Sequence, residues 1–562
     1  MACKNGAGGA VSLYDAVIIG AGSAGAVLAA RLSEDPGRQV LLLEAGGPNR
    51  NPLISIPLAS IVKLFGDERY FWRYDGQSER GVGNRPQTVM HGKGLGGSSS
   101  VNGMVFVRGH PGDYDEWAAL GAGGWSYSDV LPYFMRLESC ALGDPAVRGK
   151  SGPISARSGF SDNPLFDVFI AAAQEAGHPL TSDYNGVLQW GVARTQHAIT
   201  EGRARRSSPL ASYLRPAMKR SNLCVVTRAT VTRIVIENGR AVGVEYLLDG
   251  QRHRADTAGE VILSAGSYKS PQVLMHSGIG PPDHLREMGI DPAVALSGVG
   301  KNLQDHLGSF VQHGCSRPVS IMKGIGLPGR IGASFRYLLR GDGLLSHYPA
   351  EGIAHLKSDP DLERPDLQFY MAPFLRVPAS SSVPSATVVA RHGYCVSWCL
   401  LRPASRGSVT LASSDPLAPP RVVHNYLEAE EDRACHRRAV AMAREIHASP
   451  AFDPYREEEI DPGADCVSAD NIDGYIRQTC HTHLHPAGTC AMGTDNDAVV
   501  DADLRVHGVD GLRVVDASVM PRLVGGNTNI PTIMLAEKAS DMIRGLTPCH
   551  DALPAGRERT TT

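Results

Sequence analysis

The sequence predicts an α/β fold, α+β overall, in which a Rossmann-like domain is joined to a second domain built on an antiparallel β-sheet. Two apolar runs near the N-terminus flank a glycine turn and a helical stretch. Further glycine-rich segments recur at widely separated positions, and strand-like runs lie between them. At 562 residues, 42% of them hydrophobic, the chain is long enough for two domains.

The N-terminal segment reads strand, glycine turn, helix, strand. An apolar run over residues 14–19 leads into the turn, and a helical stretch covers residues 26–33. A second apolar run, residues 39–43, ends in Glu44. This order is the βαβ unit with which a dinucleotide-binding domain begins.

The glycine spacing of the turn predicts the same function. Gly20 permits the tight turn, Gly22 lets backbone amides approach a pyrophosphate, and Gly25 lets the helix pack closely on the strand. The helix N-terminus favours negative charge. Glu44 stands where a carboxylate accepts hydrogen bonds from ribose hydroxyls, which excludes a preference for a 2′-phosphate but leaves both NAD and FAD open.

Charge and cysteine content limit the class of protein. A net charge of −3 gives no electrostatic footprint for nucleic acid or an anionic membrane. Eleven cysteines, an odd count without a C-x-x-C pair, favour a reducing, cytoplasmic compartment. The uncharged stretch 16–30 is too short to span a membrane.

Six further motifs stand in a characteristic order. They are GKGLGGSSSVNG (92–103), RGHPGDYDEW (108–117), GSYKSPQVLMHSGIG (266–280), VGKNLQDH (299–306), HPAGTCAMG (485–493) and GGNTNIPT (525–532). Together they closely resemble the glucose-methanol-choline (GMC) family of FAD-dependent oxidoreductases. The resemblance covers about residues 12–545, and within the family it is nearest in look to the bacterial choline and long-chain alcohol dehydrogenases.

The resemblance implies non-covalent FAD and a fold of two interleaved domains. The FAD-binding domain is expected over residues 12–155, 205–320 and 478–548, and the substrate-binding domain over 156–204 and 321–477. The segment 94–100, too poor in side chains to pack, is expected to press its backbone against the isoalloxazine ring. The expected cofactor-binding residues are Gly20, Gly22, Ser23, Ala24, Gly25, Glu44, Ala45, Trp72, Gly94, Gly97, Asn102, Gly103, Met104, Val105, Val231, Ala265, Asp516, Ala517 and Thr528.

Alcohol oxidation needs a base for the hydroxyl proton and a group that holds the oxygen while hydride leaves for the flavin N5 atom. His485 meets the first need, because imidazole titrates near neutrality and Pro486 biases the histidine to an extended conformation. The resemblance assigns His485 the role of base and Asn529 the role of hydrogen-bonding the substrate oxygen. A turn asparagine that satisfies backbone groups is the plainer interpretation of Asn529.

His481, His483 and His485 alternate, so on a strand all three would face one side, as a metal site would require. The resemblance needs no metal, and we expect none; His481 and His483 are interpreted as structural or pocket-lining. Leu484, Ala491 and His91 depart from the usual residues of the family near the flavin.

Two other classes of function are considered. A flavin-dependent lyase or photodecarboxylase can use this fold, but such relatives lack the histidine that His485 supplies. A redox-silent flavoprotein would have no use for the pair of His485 and Asn529.

The expected substrate is a neutral primary alcohol, aliphatic or arylic. The resemblance to the long-chain alcohol dehydrogenases favours a quinone-like electron acceptor over O2, and an oxidase that releases H2O2 is the alternative. Because quinone-reducing relatives sit at membranes, peripheral attachment at the inner membrane stays open. Segments rich in Pro, Ser and Gly over 377–385 and 324–329 are interpreted as loops over the pocket mouth.

Val101 stands where members of the family that bind FAD covalently carry histidine. Because a valine side chain offers no nucleophile, we predict that acid precipitation releases all of the flavin into the supernatant. Absorbance of the supernatant and the pellet checks this. Flavin that remains with the precipitated chain would contradict it.

Overall fold

The computed structural model describes residues 13–321, 327–376 and 391–547. Its strands, in chain order, are β1 (Tyr14–Ile19), β2 (Val40–Glu44), β3 (Phe71–Glu79), β4 (Arg85–Gly92), β5 (Glu138–Cys140), β6 (Ile154–Ser158), β7 (Gly191–Arg194), β8 (Gln196–His197), β9 (Leu223–Thr227), β10 (Ala229–Glu237), β11 (Arg240–Leu248), β12 (Gln251–Leu263), β13 (Ile279–Gly280), β14 (Val294–Ala295), β15 (Leu307–Cys315), β16 (Gly352–Leu356), β17 (Leu367–Ala372), β18 (Gly393–Leu400), β19 (Ser408–Thr410), β20 (Arg421–Val423), β21 (Arg456–Asp461), β22 (His481–Thr482) and β23 (Leu512–Val514). Its helices are α1 (Ser23–Leu32), α2 (Pro57–Leu64), α3 (Pro111–Ala119), α4 (Tyr127–Leu137), α5 (Pro164–Glu175), α6 (Arg215–Ala217), α7 (Lys269–His276), α8 (Pro282–Glu287), α9 (Leu327–Arg340), α10 (Glu430–Ala448), α11 (Ala469–Thr479) and α12 (Asn529–Arg544).

The first sheet confirms the predicted Rossmann-like domain. Five strands run parallel in the order β23-β12-β1-β2-β9, and β10 and β11 extend the sheet as an antiparallel meander on β12. β2 is buried along its whole length, which explains its continuous apolar sequence. Helix α1 begins at Ser23, earlier than predicted, because the end of the glycine turn already forms its first turn.

The second sheet is antiparallel, as predicted. Its order is β21-β15-β18-β17-β16-β7, and β22 also pairs with β15. Helices α5 and α10 pack on the sheet, and residues of β17 and β18 also line a large cavity. β17 and β18 are therefore buried along their whole length instead of alternating between buried and exposed positions.

The two sheets are joined through β15 and β22. Both strands come from segments that the sequence assigned to the FAD-binding domain, yet they pair in the second sheet. The predicted domain boundaries thus divide this sheet between the two domains, and they stay a prediction. Of the predicted mouth loops, 377–385 lies outside the described residues, and α9 begins within 324–329.

None of the described helices combines the length and the apolar character needed to cross a membrane. Cys224, on β9, is disulfide-bonded, which is unusual in the reducing compartment that the cysteine content favours. The other described cysteines are free, and all but Cys466 are buried.

Candidate active site

A cavity of about 1600 Å³ extends from the N-terminus of α1 to the second sheet. Pockets for a single small ligand are typically about 300–1000 Å³. The cavity therefore has room for a dinucleotide at one end and a substrate at the other.

The α1 end of the cavity fits a pyrophosphate. Gly22 caps α1 without any side-chain hydrogen bond, and the first turn of the helix carries no acidic residue. A Cβ atom added to Gly22 would meet no other atom within 4 Å, so the backbone here is open to a ligand. Free amides at a helix N-terminus bind anions.

Glu44 is fixed in place at the same end. Its carboxylate accepts hydrogen bonds from the backbone amides of Ala21 (2.8 Å), Gly46 (2.7 Å) and Gly94 (3.0 Å). A carboxylate offers about four acceptor sites. Glu44 lines the cavity, so it retains capacity for the ribose hydroxyls it is expected to bind.

Every predicted cofactor-binding residue lines this cavity except two glycines. Gly94 supports the site from behind, through its amide bond to Glu44. Gly25 allows close packing, since a Cβ atom there would lie 1.9 Å from the carbonyl oxygen of Gly20. Whether the lining residues contact FAD stays a prediction.

At the other end, His485 is held by a buried carboxylate. The backbone amide of His485 donates to Asp305 (2.8 Å), and Asp305 also accepts from the hydroxyls of Tyr426 (2.6 Å) and Thr482. The preceding residue, Leu484, has φ +61°, a left-handed conformation that costs about 1 kcal/mol or more for a residue with a side chain. These bonds hold the strained loop so that the imidazole lines the cavity.

Hydrogen bonds determine which nitrogen of His485 carries the proton. The Nε2 atom of His306 lies 3.2 Å from the carbonyl oxygen of Leu401, which can only accept, so neutral His306 is protonated at Nε2. Its Nδ1 atom is then an acceptor, and it lies 2.9 Å from Nδ1 of His485. His485 must therefore donate from Nδ1, which leaves a lone pair on Nε2.

That lone pair faces an asparagine, and the asparagine is Asn527. Its Nδ2 atom lies 3.0 Å from Nε2 of His485, while its Oδ1 atom accepts from the hydroxyl of Tyr370 (2.9 Å). Asn529 lies at the start of α12, and its Oδ1 atom accepts from the hydroxyl of Ser23 (2.8 Å). The structure therefore pairs Asn527 with His485, whereas the sequence predicts Asn529 as the partner of the base.

This pairing could have been found in the sequence. Pro531 suits the first turn of a helix, which places Asn529 in that turn and Asn527 in the loop before it. A loop residue is free to turn its amide toward the cavity. His306 and Tyr370 carried no comparable signal, since their roles arise from long-range contacts.

His481, His483 and His485 all line the cavity, but so do Thr482 and Leu484, and the strand ends at Thr482, so the predicted alternation on one strand is wrong. The rings of His481 and His483 stack with centroids 5.2 Å apart, and those of His483 and His485 are 6.2 Å apart. Within the part of the chain that the structure describes, no group of three or more His, Cys, Asp or Glu is arranged to hold a metal ion.

Burial keeps these imidazoles neutral. It lowers the pKa of His485 to about 4, although the Asp305 carboxylate acts in the opposite direction. Burial also holds the pKa values of His306 and His483 well below the usual range. At neutral pH, His485 therefore presents an unprotonated Nε2 atom to the cavity.

A dinucleotide fold whose cavity ends on a neutral histidine and an amide has the groups that alcohol oxidation requires. Comparisons with known proteins identify the family. The N-terminal model of the GMC oxidoreductases matches residues 14–308, and their C-terminal model matches residues 403–536. The chain belongs to the GMC oxidoreductase family, and it is an FAD-dependent alcohol oxidoreductase.

Similar proteins cover nearly the whole chain. An oxygen-dependent choline dehydrogenase of Brucella anthropi is 44% identical over 95% of this chain and 96% of its own. That of Photobacterium profundum is 43% identical over 95% and 94%. The crystal structure of pyridoxine 4-oxidase from Mesorbium loti is similar with a TM-score of 0.86 and 31% identity, covering 95% of this chain and all of the other.

The proton assignment predicts an NMR signature. In protein labelled on the histidine nitrogens, His485 should give the pattern of a neutral ring protonated at Nδ1, because His306 accepts that hydrogen. The His485→Ala variant identifies the signal by removing it. The His306→Leu variant, which lacks the acceptor, should move the His485 signal toward a mixture of tautomers. A wild-type ring protonated at Nε2 would overturn the assignment.

Proposed function

We propose that the protein oxidises a primary alcohol to the aldehyde, with His485 as the base and the Asn527 amide as the group that holds the substrate oxygen. Bound FAD supplies the acceptor for the hydride that leaves the carbinol carbon. The observation that carries the proposal is the unprotonated Nε2 atom of His485, 3.0 Å from the Asn527 amide nitrogen, in the cavity that holds the cofactor.

The residues act on the hydroxyl group in a fixed order. The alcohol oxygen enters between the two side chains, accepts a hydrogen bond from Nδ2 of Asn527 and donates its proton to Nε2 of His485. Nδ1 of His485 keeps its own proton, hydrogen-bonded to His306, so the imidazolium that forms is stabilised. The single hydroxyl proton of Tyr370 is shared between Oδ1 of Asn527 and Oε1 of Gln368 (2.9 Å each), and donation to Asn527 turns its NH2 group toward the substrate.

The choice of Asn527 over Asn529 follows from where each amide is already bound. Asn529 is bound to Ser23, the first residue of α1, and therefore belongs to the cofactor end of the cavity. Asn527 touches the base directly. We therefore assign Asn529 a supporting role beside the cofactor.

Names of relatives suggest choline as a second candidate substrate, since several are oxygen-dependent choline dehydrogenases. The described cavity offers little to attract a cation. Its acidic lining residues are Glu44 and Asp516, and both carboxylates are bound to backbone amides at the cofactor end. A primary alcohol without a positive charge suits these walls better.

We also propose that electrons leave to a quinone carried in a membrane. Helix α9 exposes an apolar face, and Tyr337 and Leu338 of the same helix line the cavity. The exposed apolar residues, with their fractional exposures, are Ile331 54%, Phe335 63%, Leu338 64% and Leu339 77%. Three exposed cations accompany this face. Arg340 is on α9, Arg203 donates to the carbonyl of Leu338 on α9, and Lys63 is on α2, which contacts the same turn, residues 344–346, as α9 does. An apolar face with cationic flanks is typical of peripheral membrane attachment.

Replacing the two catalytic residues should give different kinetic results. His485→Ala should slow anaerobic flavin reduction by about 10²–10⁴, the usual effect of a positioned base. Asn527→Ala should also slow it, by about 10–10³, through loss of one hydrogen-bond donor. Because the pKa of His485 is lowered from 6.5 to about 4, the wild-type rate should rise with pH through the acid range and be constant above about pH 6.

Stopped-flow reduction from about pH 4 to 9 tests these expectations. The acid limb should persist in Asn527→Ala, because an amide does not titrate there, and vanish in His485→Ala. Asn529→Ala should affect FAD affinity more than the limiting rate, and the exposed His253→Ala serves as control. The assignment fails if Asn529→Ala costs more rate than Asn527→Ala, or if His485→Ala stays within a few-fold of wild type.

The electron acceptor can be tested with the reduced enzyme and vesicles. We expect anionic phospholipid vesicles that contain ubiquinone to bind the protein and to reoxidise its flavin faster than air-saturated buffer does. Phe335→Asp with Leu339→Asp should abolish cosedimentation with the vesicles, because charge disrupts the apolar face. Val467→Asp, at another exposed apolar residue, is the matched control. Faster reoxidation by O2 than by the quinone would instead identify an oxidase.

A further inference from the structure

Arg376 lines the cavity at the end of the ring row formed by His485, His483 and His481. Phe310 follows His481 with ring centroids 6.3 Å apart, and the guanidinium carbon of Arg376 lies 5.6 Å from the Phe310 ring. The row therefore leads from the base to a positive charge. Neither the proposed oxidation nor the binding of FAD uses this arginine.

The backbone of Arg376 is clamped by one side chain. Its amide donates to Oε1 of Gln312 (2.9 Å), and its carbonyl accepts from Nε2 of Gln312 (3.1 Å). Gln312 is buried on β15, and its amide also donates to Asp461. The position of Arg376 is thus fixed by the second sheet.

Within residues 13–321, 327–376 and 391–547 Arg376 forms no ion pair, although the Asp461 carboxylate lies near enough for both charges to act on the Cys395 thiol. The segments 322–326 and 377–390 contain no Asp or Glu in their sequences. Arg85 also lines the cavity, but its guanidinium donates to the carbonyls of Arg477 (2.6 Å) and Cys480 (3.3 Å).

The two imidazoles and the phenol that face Arg376 are neutral. Burial, with a contribution from the Arg376 charge, holds the pKa values of His481 and His483 well below the usual range. The Tyr348 hydroxyl, which also feels this charge, has its pKa raised by burial. Arg376 and Arg85 are the two cations that act on His481 at this end of the described cavity, and the donors of Arg85 are already bound to backbone carbonyls.

We propose that Arg376 binds a carboxylate of the substrate, at the end of the molecule remote from the reacting hydroxyl. The proposal rests on the proposed function and names the substrate class as ω-hydroxy carboxylates. One guanidinium presents a two-donor fork that matches a carboxylate, and the donors of the second cation, Arg85, are already bound to the carbonyls of Arg477 and Cys480. Because several rings separate His485 from Arg376, medium-length chains fit better than glycolate.

The test uses the FAD-loaded enzyme and three alcohol series of matched length: alkanols, ω-hydroxy carboxylates from hydroxybutanoate to hydroxydecanoate, and ω-hydroxyalkyl trimethylammonium ions. For wild type, kcat/KM of the best carboxylate should exceed that of its alkanol by about 10-fold or more, the usual worth of a hydrogen bond to a charged group. The ammonium ions should be the poorest substrates.

Variants test the residue. Arg376→Gln should remove the preference for the carboxylate while kcat/KM for the alkanol stays within about 3-fold, since a change below 0.7 kcal/mol reflects no lost interaction of this kind. Arg376→Lys should keep part of the preference. Arg317→Gln is the matched control, because Arg317 lies over Tyr455 and does not line the cavity.

A binding measurement separates the two proposals. Calorimetry with octanoate, which has no hydroxyl to oxidise, should show binding to wild type and loss of binding in Arg376→Gln. If octanoate binds through Arg376 but no alcohol reduces the flavin, the proposed function fails and the anion site stands. If alkanols are oxidised but the carboxylates have no advantage, or keep it in Arg376→Gln, the inference about Arg376 is wrong.

Discussion

The arrangement of the active site depends on one buried carboxylate. Asp305 accepts from the His485 amide and from two hydroxyls, on Tyr426 and Thr482, and no cation forms an ion pair with it among the described residues. A buried charge must be met by hydrogen bonds, and charge-assisted bonds are about twice as strong as neutral ones. These bonds hold Leu484 in its strained conformation and fix the histidine where the cofactor end of the cavity meets the second sheet.

Two devices then make His485 a base with a defined direction. Burial removes the proton from the ring at neutral pH, and the bond to His306 places the remaining proton on Nδ1. Neither is sufficient alone, because a neutral ring of the other tautomer would present an N–H group to the hydroxyl it must deprotonate. His306 is in turn fixed by a backbone carbonyl, which cannot exchange roles. The direction of proton transfer is therefore set by a group that does not titrate.

The sequence predicted what local pattern determines. Both strands of the first βαβ unit follow from apolar runs, and the antiparallel sheet follows from the strand-like runs between the glycine-rich segments. The membership of β15 in the second sheet did not, because its register is set by β18 and β21, each far away in sequence. The pairing of His485 with His306, 179 positions apart, is of the same kind. Asn527 lies in the same motif as Asn529. The two differ only in that Asn527 precedes α12 and Asn529 begins it, so the choice between them required the contacts of the folded chain.

The aromatic side chains and the Arg376 guanidinium of the cavity favour opposite charges on the substrate. The aromatic side chains at the second-sheet end, Tyr348, Tyr370 and Phe374, could hold an ammonium group through cation–π contacts, worth about 0.5–2 kcal/mol each. Two unit charges about 4 Å apart interact by about 4 kcal/mol at an effective dielectric constant of about 20, so repulsion of an ammonium group by the guanidinium at such a distance would exceed one cation–π contact. The same electrostatic interaction favours a carboxylate, so it acts with opposite sign on the two charge states of a substrate. The positive charge of Arg376 therefore has more influence on substrate choice than the aromatic content of the pocket.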